Sequence, residues 1–546
     1  MAKRLQIAFL GGVEEVGKNM TLLEYGETAI LVDAGLGFPD SETMPGIDFI
    51  IPDLDYLISI KDKIKGIFIT HGHEDHIGSL PFVLQEINVP VYGSAISVAF
   101  ADNKIERRSK KKIKQKFITV ENGDVIKTGP FEVEFIRVTH SIAGAYALSI
   151  STPAGIVFMT GDFKIDHTPV DGKRADLSKI AAIGEKGVLL LMSDSTNATK
   201  PGYSMSESKV GESLDEIFNA NRTKRIIVAT FASNIHRIRQ IIECSSKYSR
   251  KIAFGGRSLQ TTMEIARKLG EIKFDDEMLV ETTTKIPDER ICLIVTGTQG
   301  EEMSALSRMS SDTYKGIRID ENDTIIISAS SIPGNEKSII KVINNLSKRG
   351  ANVIYESLSE VHASGHAYQE ELKLMFALTK PAYFIPVHGE FRHMKAHAEL
   401  ALQMGMLKAN IYIPELGDVI SVNRAGIKKL PSIEAKGVML IGDRESESGE
   451  IIERKKMSEE GIVIIAITIS GGTKPDMRID LISKGVTIPE KLEDDIYSTL
   501  YTHFGNVGYK DMVPSEISKV ARRLITKLFY SRNKRSPMVI PVVMVE

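Results

Sequence analysis

Side chains able to bind metal ions are concentrated in the segment 70–76, which reads THGHEDH and directly follows an apolar run. Imidazole and carboxylate groups suit Zn²⁺, or Mn²⁺ where oxygen donors contribute more. A tight turn after a strand can direct alternate side chains toward two adjacent ions, and Gly72 lets the backbone curl there without a Cβ clash. A solvated polar loop is the alternative, but the density of histidine and aspartate argues against it. We therefore predict a metal site that includes His71, His73, Asp75 and His76.

Short strands must position these side chains, and the first 200 residues contain several candidates. Runs rich in β-branched or aromatic residues end at Gly, Asp or His, at positions 29–32, 66–70, 131–138 and 155–160. Such strand ends are where α/β folds place their chemistry. His140 and Asp162 follow two of these runs, and His388 follows a later apolar run in the same way.

The chain between about residues 205 and 365 has a different pattern. Helices at 206–220 and 234–247 alternate with strands at 225–230, 251–254, 291–295 and 323–328. This alternation predicts a parallel sheet in a separate Rossmann-like unit. Because a strand that ends in a histidine returns at His388, we interpret this unit as an insertion into the first domain.

The last part of the chain is predicted to be a small α+β domain. It combines candidate helices with candidate strands, at 489–500 and 515–529 for the helices and 437–441, 461–469 and 539–545 for the strands. The predicted domain boundaries are 1–205 for the first part of the first domain, 206–365 for the insertion, 366–435 for the second part with a linker, and 436–546 for the C-terminal domain.

Composition and charge limit the classes of function. A chain of 546 residues is too long for one core, because cores usually stop growing near ~250–300 residues. With a net charge of −2, a nucleic-acid partner would need a local basic patch, and a small-molecule substrate fits this charge equally well. Two cysteines exclude a disulfide framework. We find no signal peptide and no apolar run of ~18 residues, so we expect a cytoplasmic protein without a membrane partner.

One strongly basic run, residues 104–116, reads KIERRSKKKIKQK. A solvated helix face is the commoner explanation of such a run. The alternative is a patch that follows the phosphates of a nucleic acid. Both interpretations remain open at this point.

The pattern His-x-His-x-Asp-His after a strand resembles the metallo-β-lactamase superfamily. The surroundings of His140 (VTHS) and Asp162 (TGDFK) resemble its third and fourth motifs. The resemblance implies an αββα sandwich and two divalent ions, Zn²⁺ first with Mn²⁺ or Mg²⁺ as alternatives, which activate a water molecule with a pKa near ~7. The implied ligands of one ion are His71, His73 and His140, those of the other are Asp75, His76 and His388, and Asp162 bridges the two.

Three later motifs resemble those of the β-CASP nucleases. Residues 193–197 (SDSTN), 362–366 (HASGH) and 386–390 (PVHGE) resemble motifs A, B and C of that group. The inserted unit would then be a β-CASP domain. Within this group the chain resembles the ribonuclease J family, and the resemblance covers nearly its whole length.

The resemblance also implies roles for individual residues. Asp75 and His76 would be catalytic, Asp194 would orient a ligand histidine, and His366 would protonate the leaving oxygen. A Ser/Gly/His loop can cradle a phosphate with backbone N–H groups. The residues expected around the 5′ nucleotide are Phe231, Ala232, Ser233, His362, Ala363, Ser364, Gly365 and His366. The alternatives are a simple turn residue for Asp194 and a surface histidine pair for the loop.

The resemblance implies a hydrolase of RNA phosphodiesters, a 5′-to-3′ exonuclease on 5′-monophosphorylated RNA with endonuclease activity, in RNA decay and maturation of rRNA and mRNA. It also implies single-stranded RNA and further subunits as partners, in a homodimer or tetramer or with a paralogous chain. A non-catalytic partner subunit ranks lower, because all seven ligands are present. A small-molecule metallo-hydrolase would lack the insertion and the HASGH loop. The motifs do not distinguish RNA from DNA.

Overall fold

The computed structural model describes residues 4–39, 43–108, 116–298, 304–329, 335–356, 359–442, 444–470, 477–507 and 512–545. The chain forms two compact units. The first consists of Met1–Gly37 and Ile51–Gly437, and the second of Phe38–Ile50 and Val438–Glu546. Each has its own hydrophobic core.

The amino-terminal 200 residues are dominated by strands. The strands are β1 (Leu5–Gly11), β2 (Met20–Tyr25), β3 (Thr28–Val32), β4 (Phe49–Pro52), β5 (Ile64–Phe68), β6 (Val91–Gly93), β7 (Phe117–Thr119), β8 (Val125–Thr128), β9 (Phe131–Arg137), β10 (Tyr146–Thr152), β11 (Gly155–Met159) and β12 (Val188–Asp194). The helices are α1 (Asp55–Ser59), α2 (Glu74–Ile77), α3 (Leu80–Glu86), α4 (Ala95–Arg108) and α5 (Leu177–Lys186).

The middle of the chain alternates strictly between helix and strand, as its sequence pattern predicts. Its elements are α6 (Glu207–Ala220), β13 (Arg225–Ala229), α7 (Ile235–Lys247), β14 (Lys251–Gly255), α8 (Arg257–Lys268), β15 (Ile291–Val295), α9 (Ala305–Ser310), β16 (Asp323–Ile327), α10 (Glu336–Lys348) and β17 (Asn352–Ile354). The strands form one parallel sheet in the order β14-β15-β13-β16-β17.

The chain then returns to the first domain. The returning elements are α11 (Gln369–Thr379), β18 (Tyr383–Val387), α12 (Phe391–Gln403), β19 (Val419–Asn423) and β20 (Gly426–Lys429). Strand β18 pairs in parallel with β12, so that Asp194 lies beside Val387. Strand β19 pairs antiparallel with β1, with Leu5 beside Val422. The middle unit is therefore an insertion, as the return of a strand ending in histidine predicts.

The first domain is a sandwich of two sheets, in the orders β20-β19-β1-β2-β3-β5-β6-β7 and β18-β12-β11-β10-β9-β8. Apolar side chains from both sheets, including Phe9, Phe135 and Ile385, are buried together between them. Residues of α3 and α4 pack in the cluster on the outer side of the first sheet, and residues of α5, α11 and α12 in the cluster outside the second. This arrangement confirms the predicted αββα fold with an inserted Rossmann-like domain.

The strand that leads into the segment 70–76 ends earlier than its apolar run. The sequence predicts a strand as far as Thr70, whereas β5 ends at Phe68. The amide of Thr70 donates to Asp33 Oδ1 at 2.8 Å instead of to a neighbouring strand. At the point where the chain turns toward the candidate ligands, a side chain after β3 therefore accepts the hydrogen bond that a neighbouring strand would otherwise accept.

The second unit is a small α+β domain, as predicted. Its elements are β21 (Gly437–Ile441), β22 (Arg444–Glu445), α13 (Ser448–Glu460), β23 (Ile462–Ile469), β24 (Met477–Lys484), α14 (Glu490–Val507), α15 (Pro514–Asn533) and β25 (Met538–Val545). The strands form the sheets β24-β23-β25 and β22-β21-β4. Ile465, Ile496, Phe504, Ile525 and Phe529 are fully buried in its core.

Several smaller predictions can be compared with these elements. In the basic run 104–116, residues 109–115 lie outside the described residues. Lys104 pairs with Glu74 and Arg107 contacts Thr261, so these two cations are engaged with the protein itself. Within the described ranges, no helix combines the length and apolarity that crossing a bilayer requires.

Candidate metal centre

The segment 70–76 turns sharply from a strand into a short helix. His73 precedes α2 with an extended backbone and accepts hydrogen bonds from the amides of His76 and Ile77 at 3.0 Å each. Gly72 fits because a Cβ there would lie 3.2 Å from Ser97 Cα and 3.1 Å from the Phe100 ring. Close packing against α4 therefore favours glycine at this position.

The first metal group consists of His71, His73, His140 and Asp162, whose ligand atoms all lie within 4.8 Å of one another. His71 Nε2 and His140 Nε2 are each 3.1 Å from His73 Nδ1. Asp162 Oδ2 is 3.6 Å from His71 Nε2 and 3.8 Å from His140 Nε2. Three imidazole nitrogens and one carboxylate oxygen therefore converge on one point.

The second metal group consists of Asp75, His76, Asp162 and His388, which also lie within 4.8 Å of one another. His388 Nε2 is 3.1 Å from Asp75 Oδ2, and His76 Nε2 is 3.3 Å from Asp162 Oδ2. His388 has a φ of 53°, a left-handed conformation that costs a non-glycine residue on the order of 1–2 kcal/mol. The strained residue directly follows β18 and is the candidate ligand that the returning chain contributes to this group.

Asp162 belongs to both groups and fits a bridging role. Its side chain is 2% exposed, and Oδ1 has no hydrogen-bond partner among the described residues, with His388 Nδ1 3.6 Å away. A buried carboxylate oxygen without a hydrogen bond is costly unless a cation lies close to it. Two histidine–carboxylate groups that share one buried aspartate suit a pair of divalent ions.

Burial controls protonation in the first metal group. It lowers the pKa of His73 to about 4 and holds the pKa values of His71 and His140 well below the usual histidine range. The neighbouring histidines act in the same direction on His71 and His140. All three imidazoles are therefore neutral at pH 7, with lone pairs available for a metal ion.

The second metal group has the opposite electrostatics. Burial lowers the pKa of His388, but the carboxylates of Asp162, Asp194 and Asp75 outweigh burial and raise it to about 10. The same balance of burial against Asp162, Asp75 and Asp33 raises the pKa of His76 well above the usual range. Without a metal ion, these two imidazoles hold protons that neutralise the carboxylates.

Asp33, which the sequence interpretation did not select, orients the second metal group. Its Oδ2 accepts from His76 Nδ1 at 2.8 Å and from Thr70 Oγ1 at 2.7 Å. This fixes the tautomer of His76 and leaves Nε2 facing the group. Asn19 also donates to the backbone oxygen of Asp75 at 3.1 Å. The signal in the sequence was an aspartate at a strand end, the same feature that identified Asp162.

Motif A contributes two side chains to His388. Thr196 Oγ1 lies 2.7 Å from His388 Nδ1 and donates to Asp194 Oδ1 at 2.8 Å. Asp194 Oδ1 is itself 3.3 Å from His388 Nδ1. The structure thus brings Asp194 to a candidate ligand histidine, and it adds Thr196, which the sequence interpretation had not selected.

His366 lies beside both metal groups and pairs with Asp194. His366 Nδ1 donates to Asp194 Oδ2 at 2.8 Å and is 3.9 Å from Asp162 Oδ2. Burial lowers the pKa of His366, but Asp194 outweighs burial and the net pKa is raised. The arrangement keeps a proton on an imidazole next to the site.

The rest of the HASGH loop (residues 362–366) is packed against the first metal group. His140 Nδ1 donates to the backbone oxygen of Gly365 at 2.7 Å. A Cβ on Gly365 would lie 2.7 Å from His140 Cε1, so only glycine allows this approach. Asn197 Nδ2 donates to Ser364 Oγ at 2.7 Å, which ties motif A to the loop. Ala363 is buried.

Four other predicted substrate contacts lie at the start of the HASGH loop and in the turn after β13. His362 is mostly buried, and its Nδ1 has no hydrogen-bond partner among the described residues. Phe231, Ala232 and Ser233 form the turn between β13 and α7, at the carboxyl end of the inserted parallel sheet, and are half-buried. The hydrogen bonds of their backbone are local, from Asn234 to Phe231 and from Ile235 to Ser233.

Family comparisons cover most of the chain. The matches are to the metallo-β-lactamase superfamily over residues 13–200, the ribonuclease J β-CASP domain over 223–346, the Zn-dependent metallo-hydrolase RNA specificity domain over 350–414, and the ribonuclease J C-terminal domain over 449–545. A crystal structure of a protein of unknown function from Enterococcus faecalis V583 has a similar fold. It covers 77% of this chain and 100% of its own, with a TM-score of 0.53 and 18% identity.

Several proteins named ribonuclease J match nearly the full length of this chain. Ribonuclease J of Helicobacter pylori is 42% identical over 93% of this chain and 72% of its own length. Ribonuclease J of Thermus thermophilus is 38% identical over 99% of this chain and 95% of its own. Ribonuclease J of Synechocystis is 38% identical over 98% and 86%. The chain therefore belongs to the ribonuclease J family of metal-dependent ribonucleases.

Proposed function

We propose that the protein is a 5′-to-3′ exonuclease on 5′-monophosphorylated RNA, with additional endonuclease activity, that acts in RNA decay and in maturation of rRNA and mRNA. One observation carries this proposal. The HASGH loop contacts the first metal group directly, through the 2.7 Å hydrogen bond from His140 to Gly365. An RNA end held by this loop would place its first phosphodiester beside the metal groups.

The seven side chains of the two metal groups would hold a pair of divalent ions. Five of the seven are imidazoles, which favours Zn²⁺ over the harder Mn²⁺ and Mg²⁺. The match to a Zn-dependent metallo-hydrolase domain supports the same choice. When bound, such ions supply Lewis acidity at the phosphate and a more acidic water molecule.

The chain's own residues would manage the protons of the reaction. Asp75 and His76 would face the ions, and Asp33 orients His76 by a hydrogen bond. Asp194 raises the pKa of His366 and so favours a proton on this imidazole. His366 can donate that proton to the leaving 3′ oxygen, a general-acid role typically worth ~10²–10⁴ in rate.

We place the 5′ phosphate against the HASGH loop and the turn 231–233. Burial lowers the pKa of His362 well below the usual range, and Arg237, Lys164 and Lys200 act in the same direction. Arg237 is paired with Glu207 at 2.5 Å and Lys164 with Asp166 at 3.4 Å, so Lys200 is the cation of these three that is left to favour an anionic ligand. Ser364 and Gly365 add a small hydroxyl and an uncrowded backbone, which suit close approach of a phosphate.

We also propose single-stranded RNA as the partner and a homodimer or tetramer, or an assembly with a paralogous chain, as the working form in the cytoplasm. The RNA specificity domain supports the RNA partner. Sedimentation of the purified protein with and without a 5′-monophosphorylated oligonucleotide tests both statements, since a monomer that binds no RNA would contradict them.

The decisive experiment compares one RNA carrying a 5′-monophosphate, a 5′-triphosphate or a 5′-hydroxyl. We expect fast release of labelled mononucleotide from the monophosphate RNA, and none with the Asp75→Ala/His76→Ala protein. Internal fragments that do not depend on the 5′ end would leave an endonuclease only. No metal-dependent cleavage of RNA would favour a non-catalytic partner subunit, and cleavage of the matching DNA at the same rate would make the substrate general.

A further inference from the structure

Glu371 is a buried carboxylate that contacts three separate parts of the chain. It is 0% exposed and lies in the first turn of α11. Its Oε1 accepts from the amide of Ile165 and from Ser204 Oγ, both at 2.8 Å. Its Oε2 accepts from the amides of Ser204 and Tyr368, at 2.7 Å and 2.9 Å. Four donors therefore satisfy one carboxylate.

A helix cap explains only part of this arrangement. The bond from the Tyr368 amide is the contact that a glutamate in the first turn makes in a capping box. The other three bonds come from segments that are 167 and 206 positions away in the chain. A residue needed only for capping would have no reason to be fully buried among them.

Two of the three segments connect the inserted domain to the metal-bearing domain. The outgoing connector is residues 198–206, and the returning connector is residues 359–369. They run side by side, with the amides of Gln369 and Glu370 donating to the oxygens of Lys200 and Gly202, each at 3.0 Å. Glu371 binds the outgoing connector at Ser204 and the returning connector at Tyr368.

The third segment carries Asp162. Ile165 lies three positions after this shared candidate ligand, and the amide of Ala367, directly after His366, donates to the oxygen of Phe163 at 2.7 Å. Asp166 in the same segment accepts from Ser206 Oγ at 2.6 Å and from the amide of Glu207 at 2.9 Å. The loop that holds Asp162 is therefore joined to both connectors.

We propose that Glu371 is a positioning residue that fixes the HASGH loop relative to Asp162 and thereby sets the preference for a 5′-monophosphate. This inference rests on the proposed exonuclease function. The hydrogen bonds of the carboxylate go to Ile165, Ser204 and Tyr368, none of which is a candidate ligand, and it acts by holding Ile165 against the connectors. A displacement of about 1 Å between bound group and reacting centre can lower a rate ~10²-fold.

Glu371→Gln tests this link selectively. The amide oxygen can still accept from Ser204 and Tyr368, and the new NH₂ group can donate to the Ser204 hydroxyl. It cannot accept from Ile165, which loses its partner. We expect the ratio of kcat/KM for 5′-monophosphate over 5′-hydroxyl RNA to fall ~10–10²-fold, with dinucleotides appearing among the products. We also expect faster hydrogen exchange at Ile165, by mass spectrometry of the peptide, and unchanged metal content.

Two matched variants serve as controls. Ser204→Ala removes one hydrogen bond from the same carboxylate but leaves Ile165 bound, and Glu370→Gln changes a neighbour whose side chain pairs with Lys373 at 2.8 Å. Both should keep the wild-type ratio. If Glu371→Gln does not fold, Glu371→Asp, one methylene shorter, should lower the same ratio.

The outcomes separate the inference from the function on which it rests. A variant that keeps the wild-type ratio and loses only thermal stability or overall rate would overturn the positioning role. If Ser204→Ala lowers the ratio as much as Glu371→Gln, the Ile165 link is not the cause. A wild-type protein with no preference for the monophosphate end would instead remove the proposed exonuclease function itself.

Discussion

The two metal groups share Asp162 but differ in the protonation of their histidines and in the contacts that hold these histidines. The first offers three neutral imidazoles, because burial lowers their pKa values. The second contains three further side chains that are charged without a metal ion, the carboxylate of Asp75 and the protonated imidazoles of His76 and His388. The first group is thus ready to bind an ion, whereas an ion in the second must displace protons.

The groups also differ in what holds their histidines. His140 donates its Nδ1 proton to a backbone oxygen, that of Gly365. His76 and His388 face the side chains of Asp33, Asp194 and Thr196. Such outer partners orient a ligand and tune its basicity. Side-chain substitutions can therefore weaken the second group selectively, while the first is protected by its backbone contact.

The largest effect is expected for Asp162→Ala, which removes what the groups share. We expect both ions to be weakened and kcat/KM on RNA to fall by at least ~10⁴-fold. His73→Ala, the matched single-group variant, should lose only one ion. Metal content by mass spectrometry, beside RNA hydrolysis, checks this. Retention of two tightly bound ions by Asp162→Ala would end the bridging assignment.

A smaller loss of rate is expected for His366→Ala, because His366 is not among the seven candidate ligands of the two metal groups. The rate should fall ~10²–10⁴-fold with both ions retained. Since Asp194 raises the pKa of His366, the proton is present below that pKa and lost above it. Asp194→Asn should therefore move the alkaline limb of the pH–rate profile to lower pH. A profile that does not move would show that another group supplies the proton.

Asp33→Asn should separate the two groups directly. The neutral amide is a poorer partner for His76 Nδ1, so metal affinity of the second group should fall ~10–10²-fold. Competition with a fluorescent chelator gives both dissociation constants. We expect the dissociation constant of the ion in the first group, the more tightly bound of the two, to change much less. Equal weakening of both ions would mean that the groups do not act separately.

The smallest effect is a proton count. Zn²⁺ binding to the second group, isolated in His73→Ala, should release up to two protons near neutral pH, from His76 and His388. Binding to the first group, isolated in Asp75→Ala, should release almost none. The affinity of the first group for Zn²⁺ should change little with pH, whereas the affinity of the second group should rise until about pH 10. Calorimetry in buffers of different ionisation enthalpy measures the difference, and equal counts would contradict it.

Much of the fold was predictable because it depends on local patterns in the sequence. Alternating helices and strands identified the inserted sheet, and the segment 70–76 identified part of the metal centre on its own. His140, Asp162 and His388 required a family resemblance, because their approach to His71 depends on the packing of two sheets. Spacing along the chain carries no information about that packing.

The residues that were missed explain the limit. Asp33 meets Thr70 and His76 across 37 and 43 positions, and its place at a strand end does not by itself show that it reaches a candidate ligand. Glu371 resembles a helix cap in sequence, and only the folded chain brings Ile165 and Ser204 to it. Partners that orient other residues are therefore less visible in a sequence than the candidate ligands they serve.

The late position of β18 and β19 has a consequence for synthesis of the protein. His388 arrives only after the whole inserted domain, and β19, the neighbour of β1, arrives later still. A chain still being translated can present residues 71–162 without completing the second metal group. The second metal group is therefore complete only after the ribosome has read most of the message, and the sheet that contains β1 gains its β19 neighbour later still.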